Sequence, residues 1–361
     1  MRSYGMGDPE LDQRIMELVA DACPNPNADL VAELVTTALK LHRDNPARGD
    51  LKLVNTALKE MRYSMLVFSR HNEPKVTVFG SARTPEGHPD FVLAEEFSRE
   101  MAKREWGVIT GAGPGIMLAG SRGAGIERSY GVNIRLPFEA DANEHISPDR
   151  TVNFKYFFTR KLAFVKESHA FAIFPGGFGT LDEMFELLTL VQTGKSDLHP
   201  IVLMESEDSG YWSQILPILS EVLIKGGYIS PSDSKLFSIH HDPVAAADEL
   251  CRFYANYHSQ RYVNGLLVLR LQKAPDPQTL ERLNEEFSDI VAGEPITVIQ
   301  PTEAEIADND ALDLERISFR FDRRSFGRLR QLVDQLNDLV SPPAVVHPPA
   351  PMGDEQAERP W

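Results

Sequence analysis

From Lys75 to Tyr257 the chain repeats one pattern: a short apolar run, then a stretch with helical spacing, then another apolar run. Val76-Thr-Val-Phe79 reads as a strand and Phe91 to Arg104 as a helix. Gly107-Val-Ile-Thr110 is a second strand, Ile116 to Glu127 a helix, and Gly131 to Leu136 a third strand. After a loop come a helix from Tyr156 to Glu167, strand Ala170 to Phe174, helix Thr180 to Gln192 and strand Ile201 to Met204. A helix from Tyr211 to Ile224, a strand from Leu236 to Ile239 and a helix from Pro243 to Tyr257 complete the set. Strands separated by helices cannot close as hairpins. Each crossover returns the chain to a parallel neighbour, right-handed, with helices covering both faces. Ligands of such sheets bind beyond the carboxyl ends of the strands, and the Gly-rich segments fall there.

The fold class this predicts is α/β: a Rossmann-like parallel sheet with helices on both faces, plus an N-terminal helical arm and a small C-terminal α+β domain. The arm spans 1–72. Leu11, Ile15, Leu18 and Val19 share helical spacing, as do Leu30, Val31, Leu34, Val35, Ala38 and Leu41, and a third helix runs from Leu51 to Phe68. The arm carries no chemical motif and reads as a packing or oligomerisation element. The nucleotide-binding catalytic domain is 73–260. In 261–340, Val263 to Leu271 is a strand, Leu280 to Val291 a helix, and Ile296–Ile299 and Ile317–Phe321 could pair as strands before a final helix. Residues 341–361, rich in proline, read as a disordered tail.

Composition removes several function classes. A hydrophobic fraction of 42% suffices for a sizeable core. A net charge of -16 argues against binding nucleic acid polymers or anionic membranes, including a single-stranded DNA reading. It leaves room for a small anion held by backbone dipoles. The two cysteines, Cys23 and Cys251, suggest a reducing compartment without a disulfide framework. With no signal-peptide core at the start and no long apolar window, a cytoplasmic location is expected.

The strongest chemical signal is Phe174-Pro-Gly-Gly-Phe-Gly-Thr-Leu-Asp-Glu183, which leaves a strand and opens a helix. Gly176, Gly177 and Gly179 let backbone N–H groups approach an anion without a Cβ in the way. Thr180 can cap the helix and donate its hydroxyl, and the helix dipole favours negative charge. Thr110-Gly-Ala-Gly-Pro-Gly-Ile-Met117 sits between another strand and helix. Ile116 replaces the last glycine of a dinucleotide fingerprint, and the third strand offers Asn133 and Arg135 instead of an acid, so no bound dinucleotide is expected. Phe79-Gly-Ser-Ala-Arg83 forms a third turn at the end of the first strand.

Two carboxylate and cation features remain. Glu183 reads either as the capping-box partner of Thr180 or as a carboxylate for acid–base work or for stabilising a sugar cation. Arg160 and Lys161 read either as a solvated pair or as groups aimed at an anionic substrate. Gly194-Lys-Ser196 lacks the earlier glycine of a P-loop, and His240-His241 lacks metal-ligand spacing. No metal and no cofactor are expected.

Together these residues resemble the LOG family: cytokinin riboside 5′-monophosphate phosphoribohydrolases and related bacterial nucleotide 5′-monophosphate nucleosidases, often mislabelled lysine decarboxylases. Its motif PGGxGTxxE is matched by Pro175 to Glu183. Its Arg-Lys pair is matched by Arg160-Lys161, its G-S and G-x-G turns by Gly80-Ser81 and Gly111-Ala-Gly113, and a downstream Thr, Gln and Gly by Thr189, Gln192 and Gly194. The match covers about 74–258. The resemblance implies hydrolysis of the N-glycosidic bond of a purine nucleoside 5′-monophosphate, with Arg160 and Glu183 catalytic. It implies a substrate- and phosphate-binding set of Gly80, Ser81, Gly111, Gly113, Lys161, Gly176, Gly177, Phe178, Gly179, Thr180, Asp182 and Thr189, joined by Asn133. Asp182 stands where many members have Glu, and the base-side glutamate is either Glu139 or Glu144. The flanking segments are similar to those of longer bacterial forms, and family members place the site near a subunit interface, which implies a homo-oligomer. The alternative is a non-catalytic nucleotide-binding sensor or carrier on the same fold. A pyridoxal-dependent lysine decarboxylase finds no lysine in a recognisable cofactor context.

Overall fold

A computed structural model describes residues 4–22, 26–134, 143–341 and 348. The chain divides into two compact units, Met1–Met61 and Arg62–Trp361. The first holds α1 (Pro9–Ala22), α2 (Ala28–Asp44) and the start of α3 (Arg48–Phe68). Ile15 and Val19 of α1 bury against Ala32, with Leu11, Val35 and Leu39 packed around them. Leu18, Leu30 and Leu34, counted in the same apolar stripes, stay exposed.

In the second unit the alternation runs β1 (Lys75–Phe79), α4 (Pro89–Lys103), β2 (Gly107–Thr110), α5 (Ile116–Ala124), β3 (Ser129–Ile134), β4 (Thr151–Phe154), α6 (Phe157–Glu167), β5 (Ala170–Ile173), α7 (Phe178–Gln192), β6 (Ile201–Met204), α8 (Tyr211–Lys225), β7 (Ser238–His240) and α9 (Pro243–Arg252). The strands form one seven-stranded sheet, order β4-β3-β2-β1-β5-β6-β7. Every pairing in it is parallel. Every residue of β1, β2, β5 and β6 is buried, as a sheet covered on both faces requires. Fully burying one such Val, Ile or Phe contributes roughly 1.5–3 kcal/mol. From β1 the chain steps outward to β4 and then returns to β5 on the other side of β1. The strand order therefore reverses between β1 and β5, where a crevice opens. β4 was not anticipated: its four residues are too few to show a period, yet they pair with β3 from Gly131↔Thr151 onward. The described part of the third strand ends at Ile134.

The C-terminal elements are β8 (Tyr257–Val263), β9 (Leu266–Leu271), α10 (Pro277–Glu286), β10 (Thr297–Ile299), α11 (Glu303–Asp308), β11 (Glu315–Phe319) and α12 (Phe326–Asn337). They build an antiparallel sheet, order β10-β11-β9-β8, in which β10 and β11 pair as the sequence suggested. The stretch read as a helix end followed by a strand from Val263 is instead a hairpin. Asn264 (φ 50°) and Gly265 (φ 81°) turn it, both left-handed as a two-residue type I′ connection needs. α9 accordingly stops at Arg252 rather than Tyr257. α11, also unanticipated, opens with a capping box between Thr302 and Glu305. This sheet belongs to the same compact unit as the parallel one, and Leu267, Leu269, Phe326 and Leu332 join the hydrophobic cluster that contains Val191 and Leu250. Among the described residues no helix is long and apolar enough to cross a membrane.

Candidate active site

The carboxyl ends of β1, β2 and β5 open into a cavity of about 860 Å³, within the range of small-molecule sites. Its wall is made of Gly80 and Ser81 after β1, Gly111 and Gly113 after β2, and Gly176, Gly177, Phe178, Gly179 and Thr180 after β5. The loops are tied across the crevice: Phe174 N–H donates to Phe79 C=O at 2.8 Å, and Ser81 N–H to Pro175 C=O at 3.0 Å. α7 starts at Phe178, two residues before the expected start, and its N-cap is Gly177. Thr180 therefore is not the cap, and Glu183 is not a capping-box partner. Gly177 has no side chain to satisfy the first-turn N–H groups, which leaves them for an anion. Gly176 must be glycine: a Cβ there would lie 2.1 Å from the Thr180 hydroxyl.

Arg160, in the first turns of α6, reaches the same wall. Its Nε donates to Val132 C=O at 2.9 Å, and its guanidinium stacks over Phe164 at 5.2 Å. It passes directly above Gly111, where a Cβ would come within 2.4 Å of Nη2. Ala112, next in that turn, is held at φ 63°, a left-handed conformation that costs a non-glycine residue energy. Lys161 does not line the cavity. Its Nζ lies 2.8 Å from both Asp182 and Glu186, so it ties α6 to α7. Burial acts against its charge, but those two carboxylates raise its pKa.

Glu183 is in the cavity wall, one turn along α7 from Thr180. Burial pushes its carboxyl up to about 7; Lys161 and Arg160 pull the other way, and the negative Glu186 and Asp182 reinforce the rise. The group thus exchanges its proton near neutrality, as an acid–base group does. Phe178, Asp182, Met117 and Phe157 also line the cavity, with Phe178 94% exposed.

Besides Lys161, four residues of the sequence-based set lie elsewhere or cannot be placed. Asn133 bonds Asn153 between β3 and β4 at 2.9 Å, and Thr189 bonds back to Phe185 C=O at 2.7 Å; neither lines the cavity. Glu144 is exposed and outside the wall, and Glu139 lies outside the described residues. The reading missed Arg83, which does line the cavity. Its signal was the Gly-Ser-Ala-Arg turn itself. Outside the cavity, His240 pairs with Glu249 at 2.6 Å, and burial raises the Cys251 thiol to about 12. Among the described residues no group of three or more His, Cys, Asp or Glu could hold a metal ion.

A family profile described as "Possible lysine decarboxylase" matches residues 114–250. The cytokinin riboside 5′-monophosphate phosphoribohydrolase LOG1 of Arabidopsis thaliana is 38% identical over 73 residues, 20% of this chain and 32% of that protein. The probable cytokinin riboside 5′-monophosphate phosphoribohydrolase LOGL3 of Oryza sativa subsp. japonica is 32% identical over 109 residues, 30% and 48% of the two chains. The pyrimidine/purine nucleotide 5′-monophosphate nucleosidase of Escherichia coli K12 is 27% identical over 140 residues, 35% and 30% of the two. The chain thus spans from under a third to about half of the length of these curated relatives. The Arg-Lys pair, the Gly-Gly-Phe-Gly-Thr loop and Glu183 all lie inside the segment, residues 114–250, that the family profile matches.

Proposed function

We propose that the cavity hydrolyses the N-glycosidic bond of a nucleoside 5′-monophosphate, purines foremost, to free base and ribose 5-phosphate. The observation that carries this is the placement of Glu183: a carboxyl that burial pushes up to about 7, in the wall that Gly176 to Thr180 at the start of α7 also line. A binding protein has no need of a half-protonated carboxyl beside a phosphate cradle. As the C1′–N bond lengthens, its electron pair departs with the base and positive charge builds on the ribose, which the Glu183 carboxylate stabilises. The base takes up a proton from solvent as it leaves, water adds at C1′ with its proton passing to Glu183, and Glu183 returns that proton to solvent to restore the carboxylate. Arg160 steers Glu183; Thr180 and Gly176–Gly179 seat the phosphate, and Gly80, Ser81, Gly111 and Gly113 line the same cavity. Asp182 and Lys161 act one step back, through the α6–α7 tie.

Incubating the protein with AMP, GMP, CMP and UMP, without added metal or cofactor, should release free base from at least one purine nucleotide. Nucleotide binding with no release at high protein concentration would leave a sensor or carrier instead. The relatives' printed names, phosphoribohydrolase and nucleosidase, support the enzyme.

In this reading residues 73–260 carry the chemistry and 261–340 support it. A cytoplasmic homo-oligomer fits α8, an apolar helix in which Trp212 is buried while Ile218, Val222 and, just beyond it, Tyr228 are exposed. Light scattering at micromolar concentration should give a dimer or larger; a monomer would remove that part.

A further inference from the structure

We infer that Arg83 is the side chain that reads the 5′-phosphate in this cavity and so separates nucleoside monophosphates from nucleosides. The inference rests on the reading of the site just given and names a specificity residue within it.

A phosphate monoester carries about -1.5 to -2 charges at neutral pH. The α7 N-terminus offers the equivalent of roughly half a positive charge. Full charges must supply the rest, and the nearby cations differ in what they have left to give. Lys161 is committed to Asp182 and Glu186. Arg160 is anchored on the Val132 carbonyl and the Phe164 ring, and its field acts on Glu183, at the end of the cavity where the chemistry lies. Arg83 lines the same cavity and is exposed to it. Among the described residues no carboxylate forms an ion pair with it.

Its root is fixed next to the phosphate loop. Arg83 N–H donates to Ser81 Oγ at 3.0 Å, and Ser81 N–H donates to Pro175 C=O at 3.0 Å. The turn after β1 and the loop after β5 are thus bonded where the strand order reverses. A guanidinium on that turn can meet phosphate oxygens two at a time from the side opposite α7. A nucleoside, which has no phosphate, would gain nothing from it.

The test compares wild type with Arg83→Ala and Arg83→Lys on AMP and adenosine, with ribose 5-phosphate as a competitive inhibitor. Losing a charge-assisted contact should raise the KM for AMP and the inhibition constant of ribose 5-phosphate about 10–100-fold. The kcat for AMP and any adenosine hydrolysis should change by no more than a few-fold, and Lys should restore part of the loss. Unchanged constants for AMP and ribose 5-phosphate in a wild type that hydrolyses AMP would overturn the inference and leave the nucleosidase reading standing. If the wild type binds AMP but does not cleave it, that reading fails instead. Calorimetry then decides on Arg83: weaker AMP binding by Arg83→Ala upholds it, equal binding overturns it. A wild type that binds neither AMP nor ribose 5-phosphate overturns both.

Discussion

Glu183 and Glu305 each face two cations, and the fold drives them in opposite directions. Glu183 sits in the cavity near Arg160 and Lys161 and is pushed up to about 7. Glu305 sits under the antiparallel sheet between Arg270 and Arg316 and is pulled down to about 2. Burial opposes ionisation at both. At Glu305 it is overcome by direct bonds: Thr302 gives its N–H at 2.9 Å and its hydroxyl at 2.8 Å, while Arg270 and Arg316 reach the other oxygen at 2.8 and 3.1 Å. All three charged side chains are fully buried. At Glu183 the cations act at a distance, since Lys161 is bonded to Asp182 and Glu186, whose own charges add to the rise. Residue types alone do not separate a structural triad from a candidate catalytic group; hydrogen bonds do.

The largest effect expected of this contrast is on turnover. Glu183→Gln should lower kcat about 10²–10⁴-fold while nucleotide affinity stays within several-fold. In the parent, kcat/KM should climb as pH rises through about 7, since water activation needs the carboxylate. Turnover equal to the parent's would reduce Glu183 to a bystander. Glu305→Gln should act on the fold instead. It leaves buried Arg316 without its carboxylate partner and Arg270 with Asp310 alone, a loss of roughly 3–5 kcal/mol. Thermal melts should show it as a drop of many degrees, and a melting point within a degree of the parent would mean the triad adds nothing.

The smallest effect is the most diagnostic. The folded chain keeps the Glu183 proton up to about 7, while the unfolded chain releases it near 4.5. Raising the pH between those values therefore favours the unfolded state, and above 7 the penalty stays constant. Glu183→Gln, which cannot ionise, should melt above the parent at pH 8 and level with it at pH 4. Glu305 has the opposite sign: its contribution is complete above about 4.5 and is lost as pH falls towards 2. An equal gap at pH 4 and pH 8 for Glu183→Gln would show that its carboxyl is not perturbed.

Much of this organisation is legible in the sequence because it is periodic. The strand–helix alternation and the glycines at strand ends follow from chain geometry, so the parallel sheet and the loops that face its crevice are read directly. What escaped depends on partners far apart in the chain. Lys161 reads as a substrate ligand until α7 brings Asp182 and Glu186 against it. Thr180 reads as a cap until the helix proves to begin at Phe178. The Glu305 triad joins β9, α11 and β11, and no spacing announces it. Asn264-Gly265 is different: the dipeptide is a strong hairpin signal, masked by the apolar run on both sides of it.

The sharing of one core between the two sheets bears on the order in which the protein is made. Strand–helix alternation is complete at Arg252, but the last layer over that core is α12, whose Leu329, Leu332, Val333 and Leu336 are all fully buried. At about 5–20 residues per second, the ribosome delivers that helix roughly 4–17 s after α9. For those seconds the nascent chain has every strand of the crevice but not the helix that covers the apolar surface behind it. Chaperone capture and premature proteolysis should concentrate in this window, so abundance in the cell should be more sensitive to substitutions in α12 than the helix's distance from the cavity would suggest.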